Sequence, residues 1–386
     1  MKIEPFALER WMTTYETRVH YDIAESGIFP LSLQELFAMQ PAGEGEQTLQ
    51  ELLDLRLGYN EANGTLALRE LLAGTYESCG PENILVTTGA IEANFLLFNV
   101  LLSPGDHVVA PFPAYQQLYS VPRAVGCDVD LWRIRPETGF AYDVDDLEHL
   151  LRPTTRLIVV NSPHNPTGAV LSAADLERVY RLAESVGATV MSDEAYRWLV
   201  IPGGEELPPP VYNLGPLGIS VGTLSKPLGL PGLRIGWIAA PADLVARCWA
   251  TRDYVSLSPG KLNDALARLA LEHREGVFRR NAGIMTANLA AANAWIEEHR
   301  ELVSWTPPRA GLLALLRYNL DIPSYDLANR LAEEYSVMLA PGAAFGVEGH
   351  LRIGIGQDPP VFAAGLEATS RCFADLQSSG VGLASP

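Results

Sequence analysis

The chain has 386 residues, 48% of them hydrophobic and 19% charged, enough to bury a large core and to divide into one larger and one smaller domain. With 46 acidic against 28 basic residues the formal net charge is −18, a surface that disfavours nucleic acid and anionic membrane as partners. No apolar run is long enough to span a bilayer, and Met1–Arg10 has no basic segment leading into an apolar one, so a cytoplasmic protein is expected.

In chain order, strands are expected at Ile84–Thr88, His107–Pro111, Asp128–Ile134, Leu157–Asn161, Thr189–Ser192, Ile219–Gly222 and Ile235–Ala239. Most are nearly continuous apolar runs, the pattern of strands buried on both faces. Between them lie helical patterns with readable ends. Ser172 and Asp175 read as a capping box, Leu176, Val179, Tyr180 and Ala183 follow at helical spacing, and Gly187 closes the helix. The alternation predicts a largely parallel sheet covered by helices. Pro202–Pro216, with five prolines and three glycines, reads as a surface loop. The two ends lack this rhythm, so a large domain is expected over 48–275, with 1–47 and 276–386 forming the smaller one.

Cys79, Cys127, Cys248 and Cys372 are scattered without CxxC spacing, which suits free thiols in a reducing compartment. The seven histidines show no HxH or HxxxH pair, so no zinc site is expected.

In an open α/β sheet, ligands bind outside the carboxyl ends of the strands, and reactive residues gather there in this sequence. Gly89 and Ala90 follow the first strand and lead into a helix, a turn that could offer N–H groups to a phosphate or be an ordinary tight turn. After the fourth strand comes Asn165-Pro166-Thr167-Gly168, built from good turn residues and able to hold the Asn165 amide as a donor. After the fifth comes Asp193-Glu194-Ala195-Tyr196, a carboxylate that burial makes costly unless a cation faces it. After the sixth, Thr223, Ser225 and Lys226 precede Arg234. An amine among groups able to hold a phosphate is what a Schiff base with pyridoxal 5′-phosphate (PLP) requires.

These strings, with Leu351-Arg352-Ile353-Gly354 near the C-terminus, occur in the order found in the class I/II aminotransferases, and the chain resembles that family along nearly its whole length. The resemblance implies a fold-type-I α/β enzyme: a three-layer α/β/α large domain around a mostly parallel seven-stranded sheet, and a smaller α+β domain. It implies PLP as cofactor and Lys226 as the lysine that binds it and then shuttles a proton at the substrate α-carbon. Asp193 would anchor the ring nitrogen, Tyr196 and Asn165 would bond the ring hydroxyl oxygen, and Tyr115 would stack on the ring or simply pack. The phosphate would be held by the backbone of Gly89, Ala90 and Ile91 with Thr223, Ser225 and Arg234. Tyr59 would reach the neighbouring subunit's phosphate in a homodimer, and Arg352, with Asn165, would take the substrate carboxylate. Three positions depart from the family pattern: Thr223 where Ser or Gly is usual, His164 where many members have Asn, and Pro227 where a flexible residue is common.

The implied reaction is transfer of an amino group from an L-amino acid to a 2-oxo acid. A fold does not choose a reaction, and the Gly222–Lys226, Gly229–Arg234 and Arg252-Asp253-Tyr254 stretches are similar to those of capreomycidine synthases, which cyclise a hydroxylated arginine. A PLP lyase or cyclase is therefore the alternative, and a non-catalytic PLP-binding module the third reading. Asp22 and Glu25 could pair with a guanidinium if the N-terminal segment covers the site, or belong to a solvated acidic stretch; Arg309 could face an acidic substrate or be a structural surface residue.

Overall fold

A computed structural model describes residues 2–384; Met1, Ser385 and Pro386, the extreme ends of the expected smaller domain, lie outside the described residues. Thirteen strands are present among them: β1 (Tyr21–Asp22), β2 (Ile84–Thr87), β3 (His107–Phe112), β4 (Asp128–Arg133), β5 (Thr155–Asn161), β6 (Thr189–Asp193), β7 (Gly218–Thr223), β8 (Gly236–Ala239), β9 (Val303–Trp305), β10 (Leu313–Tyr318), β11 (Val337–Met338), β12 (Ala340–Pro341) and β13 (His350–Gly354). β2 to β8 form one seven-stranded sheet in the order β2-β8-β7-β6-β5-β3-β4. Only β8 runs against its neighbours. All seven expected strands are present, and the expected mostly parallel α/β architecture is the one observed.

Residues along these strands alternate between two apolar layers. Val108, Ala110, Leu157 and Val159 enter one cluster with the helix Ala90–Leu101, and Val109, Ile158, Val160 and Val190 enter another with the helix Ala173–Val186. Both faces are covered, which is why the strands read as unbroken apolar runs. Ser172 caps the second of these helices by accepting from the Asp175 N–H, and Gly187 ends it with φ +69°. β2 stops one residue short of the expected end because the Thr88 N–H is taken by the Glu92 carboxylate rather than by the ladder.

The expected Pro202–Pro216 surface loop needs one correction. Val211–Leu214 forms a turn of 3-10 helix, and Val211 is fully buried with its N–H donated to Glu194 Oε1 (2.9 Å). A buried carboxylate supplied the backbone partner that the proline-rich composition did not suggest.

A second, antiparallel sheet has the order β12-β13-β10-β9. It shares an apolar core with the N-terminal helix Ala7–Tyr15 and the C-terminal helix Pro359–Ser378. β1 pairs with β11 beside it. The segment after β1 then runs from the end of β13 to the loop between β7 and β8: Gly354 N–H donates to Ile23 O (2.9 Å), Phe29 N–H to Gly356 O (2.6 Å) and Leu31 N–H to Gly229 O (2.9 Å). This strap delivers Glu25 and Ser26 to the ends of the parallel strands.

Candidate active site

The carboxyl ends of β2, β5, β6 and β7 border a cavity of about 350 Å³. Its walls include Gly89, Ala90, Ile91, Tyr115, Asn165, Asp193, Tyr196, Thr223, Ser225, Lys226 and Arg234. Every residue expected to hold a cofactor is therefore in one place, except Tyr59. That side chain is 86% exposed and is not on the cavity wall. Arg352 lies in an adjoining chamber of about 300 Å³, which shares Glu9, Ser26, Tyr115, Asn165 and Lys226 with the first.

Lys226 sits just beyond β7. Its Nζ donates to Ser26 Oγ (2.8 Å) and Glu25 Oε1 (3.1 Å). Burial pulls this amine's pKa down, but Glu25 and Tyr196 outweigh it and the amine is held above its ordinary range. The Lys226 charge in turn holds the Glu25 carboxyl below its usual range. Asp22, on the same strap, is pushed up to about 6, first by burial and then by the Glu25 charge.

Asp193 ends β6 and is almost wholly buried. It accepts from Asn94 Nδ2 (2.9 Å) and the Ala195 N–H (3.1 Å), and no cation pairs with it among the described residues. Burial raises its pKa and the two amide donors lower it less. Asn161 ties the neighbouring strand end to this corner: its Nδ2 donates to Asp193 O (2.9 Å), and its Oδ1 accepts the Asn165 N–H (2.9 Å). Asn165 Nδ2 lies 3.4 Å from Tyr196 Oη, and Arg352 Nη1 lies 3.4 Å from Asn165 Oδ1. Arg352, on the inner strand β13, donates from Nη2 to Ala24 O (2.7 Å) and leaves Nε without a partner.

At the other end of the cavity, Gly89 turns with φ +76°, and a Cβ built there would stand 2.8 Å from Arg234 Nη2. Arg234 itself adopts φ +51°, a conformation a non-glycine residue holds only under constraint. The one hydrogen bond of its guanidinium among the described residues goes to Pro231 O (3.1 Å). Thr223 Oγ1 and Ser225 Oγ, 3.0 Å apart, complete this wall. Tyr115 donates its hydroxyl to Glu9 Oε1 (3.0 Å).

The sequence did not mark Asn94, Asn161, Glu9 or Ser26. Asn94 carries the one legible signal: a polar side chain between Ala93 and Phe95 in a helix whose other polar residues are Glu92 and Asn99. Glu25 stands against the lysine, whereas Arg309 pairs with Glu205 (3.3 Å) away from both chambers, so its structural reading holds. His164 is buried, its Nδ1 is 2.7 Å from Thr167 Oγ1, and burial pulls its pKa down to about 3.

The family model for aminotransferases of class I and II matches residues 46–367. The chain belongs to the class I and II aminotransferase family. It is 35% identical over 367 residues to the capreomycidine synthase of Streptomyces vinaceus, covering 94% of this chain and 92% of that one. Among solved structures, a PLP-dependent aminotransferase of Streptococcus suis 89-1591 superposes with a TM-score of 0.92 at 37% identity, covering 97% of this chain and 99% of that one. The PLP-dependent cyclase OrfR superposes with a TM-score of 0.87 at 32% identity, covering 97% and 98%. The cofactor of this family member is PLP, and the cavity suits it. A buried carboxylate without a cation, an amine, and an arginine beside a turn too tight for a Cβ match a protonated ring nitrogen, an aldehyde and a phosphate. No helix of the described residues is long and apolar enough to cross a membrane.

Proposed function

We propose that the chain is an aminotransferase that moves the amino group of an L-amino acid to a 2-oxo acid, with Lys226 as the reacting lysine. The observation that carries this reading is the convergence of a lysine amine, the buried Asp193 carboxylate and the buried Arg352 guanidinium on two joined chambers. Bound PLP supplies an aldehyde for amine exchange and a ring that takes up electrons released at the substrate α-carbon. Lys226 Nζ would bind the cofactor at rest and, once displaced by the substrate amine, would take the proton from the substrate α-carbon and deliver it to the cofactor C4′. Asp193 keeps the ring nitrogen protonated, since each charge favours the other in a buried site. Asn165 and Tyr196 bond the ring hydroxyl oxygen, and Tyr115 packs on the ring. The N–H groups of Gly89, Ala90 and Ile91, with Thr223, Ser225 and Arg234, hold the phosphate. Arg352 and Asn165 orient the substrate carboxylate.

The second chamber is lined by Glu9 and Glu16 besides the Glu25–Lys226 pair and Arg352, so once Arg352 holds the substrate carboxylate two carboxylates are left for the side chain. Such a wall favours a substrate whose side chain ends in a cation. The same wall, with the 35% identity to a capreomycidine synthase, supports the second reading, a cyclase acting on an arginine-like substrate.

On this reading the chain divides into a large domain over 48–275 and a smaller one from the rest, and it works as a homodimer. Ile91, Phe95 and Val255 line a groove of about 810 Å³ that also contains Arg234 of the cavity wall. A second copy seated there would bring its own exposed Tyr59 toward the phosphate end. The four free cysteines fit a cytoplasmic location.

The test is absorbance spectroscopy of the holoenzyme mixed separately with each common L-amino acid and with hydroxyarginine, without oxo acid. Loss of the cofactor's visible band with an equivalent of 2-oxo acid supports aminotransfer and names the donor. A cyclic product without oxo acid supports the cyclase. Unimpaired turnover by Lys226→Ala would overturn both.

A further inference from the structure

Arg252 is fully buried at the end of the helix Ala242–Arg252, and Glu92 is nearly so in the first turn of the helix Ala90–Leu101. The pair is loose, with Arg252 Nε 3.7 Å from Glu92 Oε2, and Arg252 Nη2 and Glu92 Oε1 have no hydrogen-bond partner among the described residues. Such a pair is a poor source of stability, because its attraction barely offsets the water that both charges gave up. What it does have is position. Glu92 accepts the Thr88 N–H, at the entrance to the Gly89-Ala90-Ile91 turn. Arg252 donates from Nη1 to Ala62 O, in the segment that follows Tyr59, and from Nε to Ser256 Oγ (3.0 Å). Arg252 thus links, through Glu92 and through Ala62 O, the turn that the proposed function assigns to this chain's phosphate and the segment it assigns to the partner subunit's.

We propose that Arg252 and Glu92 are positioning residues that hold the Thr88–Ile91 turn, which serves this chain's own phosphate, in fixed relation to the Tyr59 segment, which serves the partner subunit's, so that in the dimer each phosphate meets one aligned turn and one aligned Tyr59. The proposal rests on the reading of that turn as the phosphate site. Arg252 faces the Glu92 carboxylate with its charge, the carboxylate holds the Thr88 N–H, and the N–H groups that follow are thereby aimed into the cavity. Neither side chain is on the cavity wall, so each acts through the backbone it holds.

The experiment compares apoenzyme affinity for PLP and for pyridoxal, which lacks the phosphate, in wild type, Arg252→Met, Arg252→Lys and Glu92→Gln. The expected result is about a tenfold weaker PLP affinity in Arg252→Met and Glu92→Gln, unchanged pyridoxal affinity, and partial recovery in Arg252→Lys. Adding Tyr59→Phe to Arg252→Met should cost less than the two separate losses combined. Equal weakening toward both ligands, or no weakening, overturns the positioning role while leaving the phosphate site standing. A wild type that binds pyridoxal as tightly as PLP overturns the phosphate reading and this proposal with it. Should Arg252→Met fail to fold, the isosteric Glu92→Gln carries the same comparison.

Discussion

Glu25 places a carboxylate oxygen 3.1 Å from Lys226 Nζ, and the two side chains come from segments that share neither a sheet nor a helix. The lysine ammonium is stabilised by this carboxylate against the cost of burial. An amine must be neutral to attack an aldehyde. Glu25→Gln is therefore expected to lower the Lys226 pKa and to speed PLP incorporation into the apoenzyme at neutral pH. Stopped-flow absorbance across pH reads this directly: the midpoint of the rate profile should move to lower pH. An unmoved midpoint would mean that Glu25 does not face the amine in solution.

Among the described residues Asp193 holds a charge that nothing balances: two amide donors face it and no cation does. Asp193→Asn keeps the volume and an acceptor for the Ala195 N–H while removing the buried charge. The apoenzyme variant should melt at a higher temperature than the wild-type apoenzyme, because a desolvated carboxylate is gone. Its turnover should fall about 10²–10³-fold, the usual loss when a preorganised charge is removed from a reacting centre. Calorimetry of the apo forms and steady-state kinetics of the holo forms should therefore move in opposite directions.

The large sheet was readable because burial on both faces leaves unbroken apolar runs such as Leu157–Val160, and the site because strand ends carried Asp193, Lys226 and Asn165. The second sheet was not readable. Its edge strands β12 and β9 are only two and three residues long, too short for any period to register. Arg352 was located by its local string alone, and nothing in the sequence tied it to Ala24 O or Asn165. The contacts of Glu25 and Ser26 were hidden for a related reason. They depend on how the strap crosses between two sheets, set by backbone hydrogen bonds from Phe29 and Leu31 that any residue could make. Arg252 and Glu92 read as ordinary helix charges until their burial is known.

Asp22 has a pKa of about 6 in the folded chain, above its ordinary value of 3.8. The folded state thus holds this proton more tightly than the unfolded state does. The sign follows: the contribution of Asp22 is most favourable below pH 4 and is lost as the pH rises through 6. That elevation corresponds to at most about 3 kcal/mol, and partial exposure reduces the expected effect to about 1 kcal/mol. Asp22→Asn retains an acceptor for the Ala24 and Glu25 N–H groups, both 3.0 Å from the wild-type oxygen. Urea unfolding should show the variant more stable than wild type at pH 7.5 and equal to it at pH 4. A wild-type advantage at pH 7.5 would show that the charge is needed rather than tolerated.

Gly89 is the last test, because two constraints meet there. Its φ of +76° disfavours any side chain, and a Cβ would come within 2.8 Å of Arg234 Nη2. The atom in the way is the far end of the exposed Arg234 side chain, so the guanidinium rather than the turn gives way. Gly89→Ala should therefore displace the guanidinium from the turn and weaken PLP binding about tenfold, the equivalent of roughly 1.4 kcal/mol. Gly232, in the same stretch as Arg234, is the matched control: a Cβ there meets nothing within 4 Å. Gly232→Ala should leave the affinity unchanged. Equilibrium titration of both apoenzymes with PLP, followed by absorbance, separates a local clash from a general loss of stability. Equal affinities in the two variants would remove Gly89 from the phosphate site.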